Sequence, residues 1–302
     1  MEFGKVPDLQ SIDLRLPEDD SSVARLLPGR RETSPRVYAG CPVWQDDALA
    51  NRVCPPGTPK ARRLSAYARQ FVTTELNSTG YGLDPAKARD WASVVPAEFR
   101  FCPKIPRDVT LAPNLDAVHA VYVRHCEALT AFGDRLGPVL LQFPDNFGPS
   151  RLPQLERLLA LPRPGFRMAV EVRHPAWFGT EDRAGRLADL LEKNGIAMVI
   201  TDSPGRRDAI HMRLTAPWAF IRFQGHDGYA EDMRRLETWS DRVTAWLDRG
   251  LKEAYFFPHL DPVEKTADLA AHFLLSLRRM TGLDLRLPRL HADEDEPRLE
   301  LW

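Results

Sequence analysis

The chain has 302 residues, of which 43% are hydrophobic and 27% are charged, proportions that are ordinary for a globular protein. Its 41 Lys and Arg residues nearly balance 42 Asp and Glu residues, and the formal net charge of −1 excludes a global attraction to nucleic acid or membrane surfaces. The length suits one barrel domain of about 250 residues with extensions, although two smaller domains would also fit.

The N-terminal segment, residues 1–36, is polar and interrupted by prolines, which predicts an arm that docks on a folded body. Its first twenty residues are acidic and lack an apolar run, so we expect no signal peptide. No later apolar stretch approaches the length of a membrane span, and the four cysteines match no C-x-x-C pair or zinc spacing. These features predict a cytoplasmic protein with reduced thiols and no membrane partner.

Eight short apolar runs follow the arm, and longer amphipathic stretches such as 114–136, 152–160, 181–194 and 230–249 separate several of them. The runs are VYAGC (37–41), FVTTELN (71–77), FRFCPKI (99–105), VLLQF (139–143), RMAVEVR (167–173), AMVIT (197–201), AFIRF (219–223) and EAYFFPHL (253–260). Alternation of strands and helices predicts a parallel α/β architecture. Eight repeats, with no G-x-G-x-x-G after the first strand, favour a closed (β/α)8 TIM-type barrel in a single domain, residues 37–285. Residues 286–302 are predicted to be a charged C-terminal tail.

Strand alternation then predicts which side chains point into the barrel, because the apolar set of each strand should pack on the helices. In strand five, Met168, Val170 and Val172 form the apolar set, which leaves Glu171 and Arg173 on the inside. The same reasoning gives the other members of the inward polar set: Glu75, Asn77, Lys104, Gln142, Asp202 and Arg222.

Most of these inward residues lie near the C-terminal ends of their strands, where barrel enzymes place their catalytic groups. Burial of unpaired charge costs several kcal/mol or more, so the set must be satisfied internally or serve a ligand. One interpretation is a closed network in which the three acids pair with the three cations. The mixture of acids, cations and amides favours the other interpretation, a polar pocket for a ligand.

Three histidines are expected at the same rim: His174 after strand five, His226 after strand seven and His259 at the end of strand eight. We assign them to substrate binding, because imidazole can bind ligands and exchange protons near neutral pH.

Six motifs in this order resemble the YecE-like family, also called domain of unknown function 72. They are FVTTELNSTGY, FRFCPKIPRDVT, LGPVLLQFP, AVEVRHPAWF, TDSPG and FIRFQG, and the resemblance covers roughly residues 37–280. It implies a TIM-type barrel and a site but no reaction, since the family has no assigned function. Carried over by position, the family's motif residues are Glu75, Asn77, Ser78, Lys104, Gln142, Pro144, Glu171, Arg173, Trp177, Asp202, Arg222 and Gly225.

The chain also departs from the family's common pattern in strands seven and eight. The usual Arg-Leu-His-Gly is Arg222-Phe223-Gln224-Gly225 here, and the usual strand-eight asparagine pair is replaced by Phe257-Pro258, followed by His259. A role for a strand-seven histidine or for strand-eight asparagines would therefore pass to His226 and His259.

Three functional hypotheses follow, the first being an enzyme that acts on a small anionic substrate, a phosphate or carboxylate, by general acid/base chemistry. Its predicted catalytic residues are Glu75, Glu171 and Asp202, with Glu171 or Glu75 as the general base. Its predicted substrate-binding residues are Asn77, Lys104, Gln142, Arg173, His174, Arg222, His226 and His259, and the cations among them would clamp the anion.

The second hypothesis is metal-dependent phosphodiester hydrolysis, with nucleic acid as a candidate substrate and the rim acids and histidines as ligands. The three cations in the same ring argue against a metal, so we predict no metal site and no cofactor, while a divalent metal stays an alternative. The third hypothesis is a non-catalytic sensor that binds an anion in the same pocket. The oligomeric state is not predicted.

Overall fold

Parallel strands and the helices that follow them account for most of the molecule in the computed structural model. It describes residues 6, 8–9, 11–27, 29–179, 182–226 and 229–291, so most of the predicted tail lies outside the described residues. The strands are β1 (Arg36–Ala39), β2 (Thr73–Leu76), β3 (Arg100–Pro103), β4 (Val139–Gln142), β5 (Met168–Glu171), β6 (Ala197–Met198), β7 (Ile200–Asp202), β8 (Trp218–Gln224) and β9 (Glu253–His259).

The helices alternate with these strands along most of the chain. They are α1 (Ser21–Leu26), α2 (Asp47–Val53), α3 (Arg63–Gln70), α4 (Pro85–Ser93), α5 (Arg107–Thr110), α6 (His119–Leu129), α7 (Leu152–Leu159), α8 (Asp182–Lys193), α9 (Tyr229–Asp248) and α10 (Lys265–Thr281). Side-chain caps mark several starts: the Asp46 carboxylate accepts from the Leu49 amide at α2, and the Asp84 carboxylate accepts from the Ala86 amide at α4.

All eight predicted strands are present, and the sixth is divided into β6 and β7 at Val199. The strands form three parallel sheets, ordered β1-β9-β8-β7, β2-β3 and β4-β5-β6. Since β6 pairs with β5 and β7 pairs with β8, one stretch of chain contributes to two of the sheets. The structure is thus a single-domain α/β fold of parallel strands, whereas barrel closure stays a prediction.

Hydrogen bonds also connect the edges of the three sheets. Lys104 and Leu140 form an isolated parallel bridge between the ends of β3 and β4. On the other side, the Glu75 amide of β2 donates to the Cys41 carbonyl just after β1, at 3.2 Å.

The strands separate two apolar clusters, as their alternation predicts. The larger cluster lies between strands and helices and includes Met168, Val170 and Val172. The smaller one, called here the inner cluster, lies on the opposite strand face and consists of Tyr38, Cys102, Leu140, Ala169, Ala197, Val199, Ala216, Trp218, Phe220, Tyr255 and Phe257. The inner cluster is apolar, and polar residues lie directly beyond it, further along the same strands.

Residues of the predicted N-terminal arm contact the rest of the chain at several points. The Asp20 carboxylate caps α1 and pairs with Arg213 at 3.0 Å, and Asp19 pairs with Arg242 at 2.7 Å. The limits of the arm and of the tail stay predictions. In the described part of the chain, no helix has the length and apolar character needed to cross a membrane.

Candidate functional site

A layer of polar side chains lies directly beyond the inner cluster, toward the C-terminal ends of the strands. Five strands contribute by the same rule: two residues after an inner-cluster residue, the next side chain on that face is polar. Lys104 follows Cys102, Gln142 follows Leu140, Glu171 follows Ala169, Arg222 follows Phe220 and His259 follows Phe257. We call the following residues the polar layer: Glu75, Lys104, Gln142, Glu171, Arg173, Arg222 and His259.

Glu75 occupies one side of the polar layer, and its side chain is inaccessible to solvent. Arg222 donates two hydrogen bonds to its carboxylate, from Nε to Oε2 at 2.9 Å and from Nη2 to Oε1 at 3.1 Å. Lys104 Nζ lies 3.3 Å from Oε1, and His259 Nε2 lies 3.3 Å from Oε2. The two carboxylate oxygens therefore face three nitrogen-bearing side chains.

Glu171, on the opposite side of Arg222, is equally buried and equally well bonded. Arg222 Nη1 donates to Oε2 at 2.9 Å, and Gln142 Nε2 donates to the same oxygen at 2.6 Å. Arg173 Nε donates to Oε1 at 2.9 Å. Arg222 thus bridges two buried carboxylates, and this bridge joins the two halves of the polar layer.

This arrangement keeps both carboxylates ionised. Burial alone would raise the pKa of Glu75, but Arg222, Lys104 and His259 outweigh it and hold that pKa well below its usual range. For Glu171, Arg222, Arg173 and a hydrogen bond from Gln142 outweigh burial and lower the pKa to about 2. Carboxylates held this firmly in the charged form are weak bases at neutral pH.

The amine of Lys104 is the group in this layer whose protonation is poised near neutral pH. Burial lowers its pKa to about 8, with Arg222 adding to the effect and Glu75 opposing it. Its Nζ also lies 3.3 Å from Gln142 Oε1, and 16% of its side chain is exposed. Burial and Arg222 likewise lower the pKa of His259, against the effect of Glu75, which favours a neutral imidazole.

A cavity of about 390 Å³ opens over one part of the polar layer, at the ends of β2 to β5. We call it the mouth cavity; its lining includes Asn77, Tyr81, Lys104, Arg107, Thr110, Gln142, Pro144 and Arg173. Arg222, in contrast, is 4% exposed and lies beneath it. Lys104 and Arg173 are therefore the cations of the polar layer that a ligand in the cavity would meet.

The cavity also has a rim that the strand alternation does not identify. Tyr81 is 80% exposed, and Arg107 lies over its ring at 5.7 Å and donates to its hydroxyl at 3.3 Å. Thr110 lines the same wall from α5. Arg107 and Thr110 belong to the sequence motif that follows strand three, FRFCPKIPRDVT, so this motif was the available signal for both.

Asp202 lies outside the polar layer, and the inward orientation predicted for it is wrong. Its carboxylate accepts from Trp239 Nε1 of α9 at 2.8 Å and pairs with Arg235 of the same helix at 2.8 Å. Arg207 Nη1 is 2.5 Å from the same carboxylate, and Nε and Nη2 of Arg207 donate to the backbone carbonyls of Asp13 and Arg15 in the N-terminal segment. Asp202 thus joins a strand to a helix, on the face opposite the inner cluster.

Two predicted rim histidines also lie apart from the polar layer. His174 caps the turn after β5, its Nδ1 accepting from the Ala176 amide at 3.1 Å, with its ring close to Gly148. His226 Nε2 lies 2.9 Å from the Val6 carbonyl oxygen. Asn77 does line the mouth cavity, where its side-chain amide donates to the Pro42 carbonyl at 3.1 Å. Of the three histidines, only His259 contacts another residue of the polar layer in the described part of the chain.

Comparison with known proteins gives a family but no activity. The profile of the family described as "Protein of unknown function DUF72" matches residues 38–292. The UPF0759 protein YecE of Escherichia coli K12 is 29% identical over 275 residues, covering 80% of this chain and 93% of that protein. The UPF0759 protein YunF of Bacillus subtilis 168 is 27% identical over 118 residues, covering 37% of this chain and 41% of that protein.

A solved structure supports the fold. A DUF72 family protein from Enterococcus faecalis V583, at 2.52 Å resolution, superposes with a TM-score of 0.58 at 17% sequence identity. The match covers 84% of this chain and all of that one. Sequence and fold agree over the region that contains the polar layer, and the chain belongs to the DUF72 family of proteins of unknown function.

Proposed function

We propose that this protein is an enzyme that binds a small anionic substrate, a phosphate or carboxylate, in the mouth cavity and transfers protons there. One observation carries the proposal: Lys104 and Arg173, two cations of the polar layer, both line the mouth cavity. Positive charge beside a cavity with low-dielectric protein walls attracts anions more strongly than the same charge in water.

The roles within the site follow from the contacts. Glu75 and Glu171 orient the cations instead of acting as bases, since both are held in the ionised form. Lys104 is the proton donor and acceptor, because its pKa of about 8 lies close to neutral pH. Arg173 clamps the anion, and Asn77 and Gln142 hydrogen-bond to it.

We also propose that the three sheets close into the barrel that places this site at its mouth. The Lys104–Leu140 bridge and the bond from the Glu75 amide to the Cys41 carbonyl support closure at two of the gaps between sheets. The four cysteines are buried free thiols, which supports a reducing compartment such as the cytoplasm.

The metal-dependent alternative has less support from the geometry. Among the described residues, no three His, Cys, Asp or Glu side chains are grouped so as to hold a metal ion. Each carboxylate of the polar layer already faces two cations, which would compete with a divalent ion. Elemental analysis of protein purified without chelator tests this: near one equivalent of metal, lost in Glu171→Gln, would favour the hydrolase alternative.

Inorganic phosphate should stabilise the protein in a saturable way, because a ligand bound only by the native state raises the free energy of unfolding. At a phosphate concentration one hundred times the dissociation constant, we expect a gain of about 2.7 kcal/mol, read as a rise in melting temperature. Arg173→Met should remove most of this gain. Arg157→Met, which removes an exposed arginine paired with Asp116, should keep it. An equal phosphate effect in both variants would place the anion elsewhere.

A further inference from the structure

Lys104 is placed to act as a covalent nucleophile as well as an anion ligand. We infer that Lys104 Nζ adds to the carbonyl carbon of a small aldehyde or ketone that carries a carboxylate or phosphate, and forms an imine in the mouth cavity. The inference rests on the proposed function, since it requires that the anion of the substrate be held beside Lys104.

The first support is the setting of the amine. Its Nζ is within 3.3 Å of two side-chain oxygens, Glu75 Oε1 and Gln142 Oε1, and its side chain lines the cavity. A lysine that is desolvated beside another cation loses its proton more readily, which is how amines become nucleophiles near neutral pH. Here the second cation is Arg222, which bonds to the same Glu75 carboxylate. At a pKa of about 8, about one amine in ten is unprotonated at pH 7.

The second support is the position of Arg173 relative to Lys104. Lys104 Nζ donates a hydrogen bond to Gln142, and both Gln142 and Arg173 donate hydrogen bonds to Glu171. A row of hydrogen bonds therefore connects the amine to the guanidinium. The row spans the ends of three neighbouring strands, β3, β4 and β5, each about 4.8 Å from the next. Because Lys104 and Arg173 also line the same cavity, a molecule bound there can present its anion toward Arg173 and its carbonyl toward Lys104.

The third support is that Glu75 faces this nitrogen and offsets part of the cost of a positive charge there. The step begins when the ammonium of Lys104 releases a proton to cavity water. The nitrogen lone pair then forms the C–N bond, while the carbonyl π pair moves to oxygen, which takes up a proton. The nitrogen then gives up one of its two protons and the hydroxyl gains one. The C–O bond breaks as the nitrogen lone pair forms the C=N bond, so ammonium and carbonyl become iminium and water with no oxidant or reductant. Glu75 would face the iminium as it now faces the ammonium, 3.3 Å away.

The substrate class follows from this chemistry. An iminium withdraws electrons from the neighbouring carbon and makes the C–H or C–C bond there easier to break. Breaking of a C–H or C–C bond next to the carbonyl, in a molecule that also carries an anion, is therefore the reaction class that the imine would serve, and cavity water carries the protons while Lys104 is in the imine.

Reductive trapping tests the inference on the full chain. Pyruvate or dihydroxyacetone phosphate is added with sodium cyanoborohydride, which reduces an imine to a stable secondary amine. We expect one covalent adduct per chain, with a mass gain equal to the probe's neutral acid less one oxygen atom, mapped to Lys104 by peptide mass spectrometry. The probe that labels faster distinguishes a carboxylate from a phosphate substrate.

Matched variants give the controls. Lys104→Arg, which keeps the positive charge, should lose the adduct, whereas Lys87→Arg on α4 should keep it. Arg173→Met should slow labelling about tenfold at a low probe concentration, as expected for the loss of a charge-assisted hydrogen bond. Saturable phosphate stabilisation without any adduct at Lys104 would overturn the inference and leave the proposed function intact. If the unaltered chain showed neither the adduct nor the phosphate effect, both this inference and the proposed function would be overturned.

Discussion

Arg222→Met should lower the free energy of unfolding by about 3–5 kcal/mol, the usual cost of removing one partner from a buried ion pair. The side chain is 4% exposed and makes three bonds to Glu75 and Glu171, so its loss leaves two buried carboxylates without their shared cation. Urea unfolding followed by circular dichroism measures the change.

A graded pair of controls separates this effect from a general loss of packing. Arg222→Lys keeps the charge but cannot reproduce the bidentate hydrogen bonds, so its decrease in the free energy of unfolding should be intermediate. Arg157→Met, at an exposed surface pair, should change stability by less than about 1 kcal/mol. If Arg222→Met cost no more than Arg157→Met, the bridge across the polar layer would have no part in stability.

The protein should also lose stability steeply in acid, because Glu171 has a lower pKa in the folded chain than in the unfolded one. Its contribution is complete above the unfolded value of about 4.5 and is lost as the pH falls toward about 2. A shift of this size corresponds to about 3 kcal/mol, and Glu75 acts in the same direction. Unfolding measured in urea at a series of pH values from 6 to 2 should show the decline.

Glu171→Gln should flatten that decline, since the amide has no proton to gain in this range. Asp116→Asn is the matched control, because Asp116 also pairs with an arginine but lies at the surface, where solvent and salt screen the pair. Its pH dependence should stay close to that of the unaltered chain. If the free energy of unfolding fell with pH as steeply in Glu171→Gln as in the unaltered chain, other carboxylates would cause the loss of stability.

These two expectations share one physical basis with the proposed chemistry. The buried carboxylates cost desolvation free energy that their cations and hydrogen-bond donors offset, so the members of the layer depend on one another for stability. The same carboxylates hold Lys104 and Arg173 at the cavity floor. Stability and ligand recognition therefore depend on overlapping contacts, which is why Arg173 and Lys104 are better probes of function than Arg222.

The sequence by itself determined which segments form strands and the inner or outer face of most of them. In β5 and β8, one face carries residues of the large outer cluster, so the period of two assigns Glu171 and Arg222 to the other face. The family resemblance selected the same acids and cations.

Only the tertiary structure decided the orientation of Asp202 and the partners within the layer. Strand six is apolar on both faces, with Met198 and Ile200 on one and Ala197 and Val199 on the other, so its alternation carries no information about the following acid. The histidines after β5 and β8 lie in loops, where no period applies. The bridge from Glu75 through Arg222 to Glu171 joins three strands far apart in sequence, and its existence depends on distances that only the folded chain brings below 3 Å.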